Sequence, residues 1–272
     1  MTEPRPDIEN WWAVEAMIAS YNHVYQTIYN TRYEVRGPIG ISIYNDAPVA
    51  SFHYEFLALS SDLQAVSDAI AEYSIPEGKK HIVNIFHPAP NAPGLKEHFN
   101  ELGMEFVRTA PILGFRLPQA VSTIPLHVHK ATMLQHTEAA NNNLTAEGER
   151  IHLQTLWDRE IHNFYAKEAG QAVGWVQLVT RARGVGYLNQ LYVMKDFRKR
   201  RLGTTLVNAA HAEALKVGVK RMVVVPSELS LPLFRRLGYR PLLFFSVFQP
   251  RPFRKFPKPL HEFQSNFSHT QI

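Results

Sequence analysis

The apolar residues of this 272-residue chain recur with two periods, which predict alternating helices and strands. A period near four predicts the three longest helices, at residues 8–30, 145–159 and 204–217, and shorter ones at 63–73, 95–102 and 231–237. Alternation at period two, or a short apolar run between turn residues, predicts strands at 32–44, 49–59, 81–86, 105–117, 126–133, 164–168, 172–180, 185–193, 221–225 and 239–248. This mixture predicts an α/β fold.

The two halves of the chain end in the same order of predicted elements: strand, helix, strand, short helix, glycine, strand. The first-half segment HFNELGMEFVRTAPILGFRLP aligns with LFRRLGYRPLLFFSVFQP in the second half. The aligned residues are Phe99 with Phe234, Leu102 with Leu237 and Gly103 with Gly238. Chance similarity is the alternative, because the pattern F-x-x-L-G is common at the C-terminal end of a helix. The shared order favours a divergent internal repeat. It predicts domains at residues 1–120 and 126–250, and a basic tail rich in proline and phenylalanine at 251–272.

The charge differs between the halves. Residues 1–125 carry 8 Lys and Arg against 14 Asp and Glu, a net charge of −6, and residues 126–272 carry 21 against 10, a net charge of +11. A polyanionic ligand therefore belongs with the second half. The chain has no cysteine, which excludes disulfides and a cysteine nucleophile. The acidic start has no apolar core and no run of about 18 apolar residues occurs. We therefore expect a cytoplasmic protein without a signal peptide or a membrane partner.

The segment LYVMKDFRKRRLGTTLV joins a predicted strand to a predicted helix through a basic turn. Unpaired N–H groups at a helix start, together with the helix dipole, attract anions of the size of a pyrophosphate. Gly203 permits a close approach because it has no Cβ, and Thr204 and Thr205 add hydroxyl donors. The cationic residues of the turn are Arg198, Lys199, Arg200 and Arg201. A solvated basic loop is the alternative interpretation.

This segment resembles the central motif of the GNAT acetyltransferase superfamily, (V)-x-x-x-x-[RQ]-x-x-G-x-[GA]. Arg198 occupies the [RQ] position and Gly203 the final position, whereas Arg201 stands where the middle glycine is expected. Downstream, SELSLPLFRRLGY resembles the second motif, N-x-x-A-x-x-L-[YF]-x-x-x-G-[FY], with Ser227 for Asn and Ser230 for Ala. The resemblance implies a tandem type with two GNAT-like lobes, each a mixed, mostly antiparallel sheet flanked by helices. The first lobe would be degenerate, because its matching turn has neither a basic run nor a glycine.

The resemblance also implies an acyl-CoA, usually acetyl-CoA, as co-substrate, and no metal. The pyrophosphate is expected on the backbone of the basic turn, and the pantetheine beside Tyr192 and Val193. The implied cofactor-binding residues are Leu191, Tyr192, Val193, Arg198, Lys199, Arg200, Arg201, Leu202, Gly203, Thr204, Thr205, Ser230 and Phe234. In the family a backbone N–H of the fourth strand binds the thioester carbonyl, which here implies Val193 or a neighbour.

The proton-transfer groups of the family have no direct counterpart here. Phe234 stands where a tyrosine acid is common, so Tyr239, Ser227 or Ser230 would have to substitute. Core packing for the tyrosine and helix capping for the serines are the alternatives. Asn189 stands where a carboxylate base is frequent. The catalytic candidates are therefore Tyr239, Ser227 and Asn189, and further candidate bases, each also explained by a structural role, are His162, Glu168 and His211.

The expected reaction is acyl transfer to the amine of a small-molecule or amino-acid-like acceptor, and the negative first half suits a cationic amine. A non-catalytic acyl-CoA sensor or interaction protein is the alternative. Nucleic acid is not the expected partner, because no known nucleic-acid-binding pattern accompanies the basic turn. His127 and His129 share one face of a strand but supply only two ligands, so no metal is expected. A homodimer remains an open alternative.

Overall fold

The computed structural model describes residues 8–45, 52–118 and 127–251. Most of the predicted tail, from residue 252 onward, lies outside the described residues, as do residues 49–51 of one predicted strand. In chain order the elements are α1 (Trp11–Ile28), β1 (Thr31–Arg36), β2 (Ile39–Tyr44), β3 (Tyr54–Ala58), α2 (Leu63–Glu72), β4 (His81–His87), α3 (Leu95–Glu101), β5 (Met104–Arg116), β6 (Val128–Lys130), α4 (Leu134–Leu144), β7 (Ile161–Glu168), β8 (Gln171–Val179), β9 (Val185–Val193), α5 (Leu202–Lys216), β10 (Arg221–Val224), α6 (Leu231–Arg236) and β11 (Arg240–Pro250). None of the helices in the described ranges is long and apolar enough to cross a membrane.

The described residues divide into two compact units. The first comprises residues 8–15, 29–112 and 241–251, and the second comprises Ala16–Ile28 and Leu113–Arg240. Each unit has a mixed sheet flanked by helices, so the predicted α/β class is confirmed.

The sheet of the first unit has the order β1-β2-β3-β4-β11-β5. β1, β2 and β3 form antiparallel pairs, and α2 crosses from β3 to the parallel strand β4. Asp62 caps α2, because its side chain accepts from the N–H groups of Gln64 and Ala65. Phe56, Phe99 and other apolar side chains of this unit form its core.

The sheet of the second unit has the order β5-β10-β9-β8-β7-β6. Strands β6 to β9 pair antiparallel in sequence, and α5 crosses from β9 to the parallel strand β10. Val176 packs in one core with Leu206 of α5, and its neighbour Trp175 packs in another with Leu144 of α4. Since successive residues of a strand face opposite sides, α5 and α4 cover opposite faces of this sheet.

Each unit takes one strand pairing from the other half of the sequence. In the first unit, β4 pairs antiparallel with residues 244–248 of β11. In the second, β10 pairs antiparallel with residues 113–116 of β5. Without these partners, β4 and β10 would each leave a row of backbone groups at a bare sheet edge.

The helix predicted at residues 145–159 is wrong. The structure places α4 before it and forms only short 3-10 turns at Thr145–Glu147 and Leu153–Trp157. Helix α4 contains three consecutive asparagines, residues 141–143, which are weak helix formers. The Asn141 side chain donates to the C=O of Ile151 at 2.9 Å and accepts from its N–H at 2.8 Å. These tertiary bonds and apolar packing stabilise α4 where helix propensity does not.

Candidate functional site

The parallel strands β9 and β10 pair over only the first four residues of β9. Their pairing ends where Leu188 lies opposite Val224, whereas β9 continues to Val193. The register of β9 against β8 shifts by one residue at the same point, which leaves Asn189 as the extra residue of a β-bulge. A bulge bends its strand, and β10 ends at Val224, so the last five residues of β9 have no partner residue in β10; we call the side of β9 beyond β10 the gap.

The end of β9 turns a backbone N–H towards this gap. The N–H of Met194 donates to the C=O of Val173 at 2.8 Å. Val193 and its partner Gly174 therefore form a pair of the non-hydrogen-bonded kind, whose own N–H and C=O groups point away from the neighbouring strand. The N–H of Val193 consequently faces the gap, on the side of β9 opposite to β8.

The basic turn follows at the end of the gap. Lys199 and Arg201 adopt the left-handed backbone region, with φ of 63° and 66°. In the part of the chain that the structure describes, the N–H groups of residues 199–204 have no acceptor. The next N–H, of Thr205, donates to the C=O of Arg201 at 3.0 Å. A row of N–H groups at the start of α5 fits a phosphate or a pyrophosphate.

Two cationic side chains of the turn hold its shape. Arg198 donates through Nε to the C=O of Val193 at 2.9 Å. Arg200 pairs with Glu168 at 3.2 Å and donates to the C=O of Asp196 at 3.2 Å. These contacts tie the turn to the ends of β9 and β7.

The other two cations are available to a ligand. The side chains of Lys199 and Arg201 are exposed and make no ion pair or hydrogen bond with the residues that the structure describes. Gly203 lies beside them, and a Cβ at this position would approach Leu233 Cδ1 to 3.3 Å. The glycine therefore keeps the start of α5 close to α6.

Two of the predicted site residues lie in the core instead. Tyr239 is fully buried, its hydroxyl bonds His211 Nε2 at 2.7 Å, and its ring stacks on Phe115. Burial raises the pKa of Tyr239 well above its ordinary value and lowers the pKa of His211 to about 4. Phe234 is 1% exposed and packs edge-on against Tyr239. This geometry favours core packing for both aromatic residues, which is the alternative interpretation for Tyr239 and differs from the cofactor-binding role expected for Phe234.

The two serines form a closed turn before α6. Ser227 Oγ donates to Ser230 Oγ at 2.9 Å and accepts from the N–H of Ser230 at 3.0 Å. The Ser230 hydroxyl is also within 3.2 Å of the C=O of Ser227. The contacts favour a structural role for both hydroxyls at the start of the helix.

The candidate bases are all engaged by protein groups. Glu168 binds Arg200, and His211 binds the Tyr239 hydroxyl. His162 lies 3.5 Å from a carboxylate oxygen of Glu213, and burial is the main cause that lowers its pKa. Among the described residues, none of these three side chains has a contact that directs it towards the gap.

A histidine outside the predicted pair belongs to a group with ligand-like spacing. Among the described residues, His23, Asp158 and Glu160 lie close enough together to hold a metal ion. His23 pairs with Asp158 at 2.9 Å, and Arg181 pairs with Glu160 at 2.9 Å. Ion pairing within the protein accounts for this group.

The sequence analysis missed a line of buried polar side chains beneath the bulge. Asn189 Nδ2 donates to Gln177 Oε1 at 2.7 Å, and Gln177 Nε2 donates to Asn163 Oδ1 at 2.9 Å. Asn163 Nδ2 donates to Thr155 Oγ1 at 2.8 Å, and that hydroxyl donates to the C=O of His152 at 2.6 Å. All four side chains are buried. The available signal was an amide inside each of two largely apolar strands, IHNFYA and VGWVQLV.

Comparison with known proteins finds similarity to one family. Residues 131–239 match the model of the Acetyltransferase (GNAT) family. A GCN5-related N-acetyltransferase from Kribbella flavida is similar over 87% of this chain and 95% of its own, with 19% identity and a TM-score of 0.62. A tandem GNAT protein from the clavulanic acid biosynthesis pathway is similar over 88% of this chain and 93% of its own, with 13% identity and a TM-score of 0.54. No curated protein sequence matches the chain significantly. The predicted resemblance to tandem-type GNAT proteins is confirmed.

Proposed function

We propose that this protein transfers an acetyl or other acyl group from CoA to the amine of a small-molecule or amino-acid-like acceptor, because residues 131–239 match the model of the Acetyltransferase (GNAT) family. The observation that carries the proposal is the gap between β9 and β10, because it ends at the row of N–H groups of residues 199–204. An acyl-CoA has a polyanionic end and a thioester carbonyl, and the site offers donors for each.

The pyrophosphate is proposed to lie on the N–H groups of the turn. Lys199 and Arg201 would add charge-assisted bonds to phosphate oxygens, because their side chains are exposed beside those N–H groups. The pantetheine would run along the open side of β9. The thioester carbonyl would accept from the N–H of Val193, which would also stabilise the oxyanion that develops during transfer.

The reaction needs a neutral amine. The amine nitrogen bonds to the thioester carbon, the carbon–sulfur bond breaks, and the proton that the amine loses reaches the departing thiolate through water. Asn189 occupies the bulge and cannot take up a proton, unlike a carboxylate. We therefore expect kcat/KM for the amine to rise with pH until the amine is largely deprotonated.

The acceptor is proposed to be a cationic small amine. The first 125 residues carry a net charge of −6, which favours cationic ligands over anionic ones. Replacing acidic residues of that half by their amides should raise the KM for the amine, and an unchanged KM would contradict this part of the proposal. A cytoplasmic location remains a prediction.

Isothermal titration of the full chain with acetyl-CoA and longer acyl-CoAs tests the site. The variant Gly203→Trp should abolish binding, because even a Cβ at this position approaches Leu233 to 3.3 Å. Val217→Trp is the matched control, since Val217 is exposed at the other end of the same helix, about 20 Å away. Absence of binding by the unmodified chain, or full binding by Gly203→Trp, would overturn the proposal.

A second candidate function is a non-catalytic acyl-CoA sensor. The burial of Tyr239 and Phe234 and the absence of a carboxylate on β9 favour it. An acetyl-CoA consumption assay over a panel of amines separates the two candidates. A sensor binds acetyl-CoA without turnover above hydrolysis, whereas an acyltransferase consumes it in proportion to one of the amines.

A further inference from the structure

The first unit contains a pocket that is separate from the proposed acyl-CoA site. Its volume is about 340 Å³, which is within the range of small-molecule sites. One wall is a face of α2 that carries Ser67, Ile70 and Ala71, at the helical spacing of three and four residues. The other walls come from the start of β4, from the end of α3 with the start of β5, and from Pro250 of β11. All of these residues belong to the first unit.

The position of this pocket differs from that of the basic turn. In the second unit, the basic turn connects the C-terminal end of β9 to the start of α5. The matching connection of the first unit joins β3 to the start of α2, at residues 59–62. The pocket lies towards the other end of α2, where Tyr73 and Ile75 lead to His81, the first residue of β4. It is therefore not the first unit's counterpart of the acyl-CoA site.

The lining of the pocket is mainly apolar and uncharged. None of the described residues that line it is a lysine, an arginine, an aspartate or a glutamate. The Tyr73 ring forms one aromatic wall, and it packs edge-on against Phe56, with ring centroids 5.4 Å apart. Because a charged ligand would lose its hydration here without gaining an ionic partner, the lining favours an uncharged ligand.

The imidazole of His81 is the polar group of the lining that can bind such a ligand. Ser67 Oγ is already engaged, since it donates to the C=O of Leu63 at 2.8 Å and lies 2.9 Å from His98 Nε2. The His81 ring nitrogens are accessible and make no hydrogen bond or ion pair with a described residue. Burial lowers the pKa of His81 to about 4. At neutral pH the uncharged ring therefore offers one N–H donor and one acceptor nitrogen.

We propose that this pocket binds an uncharged aromatic small molecule, which forms a hydrogen bond with the His81 imidazole. The ligand rings would pack against Tyr73 and Phe99, because aromatic side chains supply large apolar contact areas. Met104 also lines the pocket, and its flexible side chain adapts to the shape of a ligand. The inference goes beyond the proposed acyltransferase function and does not depend on it, since no residue of the basic turn contributes to the pocket.

Fluorescence titration of the full chain with N-phenyl-1-naphthylamine tests the proposal. This probe is uncharged and aromatic, carries one N–H group and emits more strongly in apolar surroundings, and we expect it to bind saturably. Ala71→Trp should raise the Kd for the probe at least about 10-fold, because the new side chain fills part of the pocket. Glu72→Trp is the matched control, since Glu72 is the exposed next residue of α2 and does not line the pocket. Its Kd should equal that of the unmodified chain.

The variant His81→Phe tests the hydrogen bond. It keeps an aromatic ring beside Phe56 and removes both nitrogens, so the Kd for the probe should rise about 3- to 10-fold, the value of one neutral hydrogen bond. An unchanged Kd would overturn the role assigned to His81. Saturating acetyl-CoA should leave the Kd of the unmodified chain for the probe unchanged.

Three results would overturn the pocket as a binding site: no saturable binding by the unmodified chain, equal Kd values for Ala71→Trp and Glu72→Trp, or displacement of the probe by acetyl-CoA. If Ala71→Trp does not fold, Leu102→Asp must raise the Kd in its place, because it puts a carboxylate on the rim, where Leu102 is 50% exposed. A chain that binds the probe in this way but does not bind acetyl-CoA would refute the acyltransferase proposal alone.

Discussion

The variant Arg201→Gly should make the protein more stable and weaken its ligand binding. Arg201 is the N-cap of α5, with φ of 66°. A side chain in this left-handed region costs about 1–2 kcal/mol. Glycine removes that cost, while the greater freedom of the unfolded chain offsets about 0.5–1 kcal/mol of the gain. The free energy of unfolding should therefore rise by up to about 1.5 kcal/mol, and each 1 kcal/mol raises the Tm of a chain of this size by about 2 °C.

The effect on binding has the opposite sign. The exposed Arg201 guanidinium lies on the turn proposed to hold the CoA phosphates. Losing one charge-assisted bond at an exposed position costs about 1–2 kcal/mol, which raises the Kd about 5- to 30-fold. Titration calorimetry with acetyl-CoA at two salt concentrations measures this. The difference between the two proteins should shrink at high salt, because screening weakens the bond that the variant lacks.

Arg200→Gly is the matched control. It removes the same charge from the neighbouring position, but Arg200 has no positive φ and pairs with Glu168. We expect its Tm to fall. If Arg201→Gly lowers the Tm as much as Arg200→Gly does, the strain at residue 201 is not what the backbone geometry indicates. If the Kd of Arg201→Gly for acetyl-CoA equals that of the unmodified protein, Arg201 does not contact the phosphates.

Three further predictions concern the second unit. Tyr239→Phe leaves His211 Nε2 buried without its partner and should lower the free energy of unfolding by about 1–3 kcal/mol without changing kcat, whereas a fall in kcat at constant Tm would restore Tyr239 as the acid. Burial holds the pKa of His211 at about 4 in the folded protein against 6.5 for a free side chain, so the unfolded chain binds the extra proton between these values. Stability should therefore fall by roughly 3 kcal/mol as pH drops from 6.5 to 4, and urea titrations of His211→Gln should show a shallower dependence; equal slopes would contradict this. Gly174→Ala should weaken acetyl-CoA binding and lower the Tm, because the new Cβ would lie 2.7 Å from the C=O of Tyr192 and would push β9 from β8; unchanged values for both would refute it.

The elements with strong periodicity were predictable from the sequence, and the missed helix shows where that signal fails. Helix α5 follows from its apolar period, and the element order of both halves is the one predicted. Helix α4 did not follow, because Asn141 acts through a bond to Ile151 that only the folded chain creates. Helix propensity, which depends on the local sequence, does not include such tertiary hydrogen bonds.

The position of the basic turn was predictable from the sequence, but the roles of the candidate catalytic residues were not. The positions of Arg198 and Gly203 point to the turn, yet the positive φ of Arg201 emerges only in the structure. Tyr239 satisfies the motif, but packing against Phe115 buries it. The line that ends at Asn189 depends on strand register, which brings together amides more than ten residues apart.

The strand pairings between the two halves of the sequence can form only late in translation. Phe244 pairs with His87 across 157 residues, and Arg221 pairs with Arg116 across 105. Such distant pairings make folding slow, because long loops must close before the contacts form. Translation proceeds at about 5–20 residues per second, so β4 emerges on the order of ten seconds before its partner β11 exists. During that interval one edge of β4 in the nascent first half has no partner strand. We expect the first half to need a chaperone until β11 leaves the ribosome.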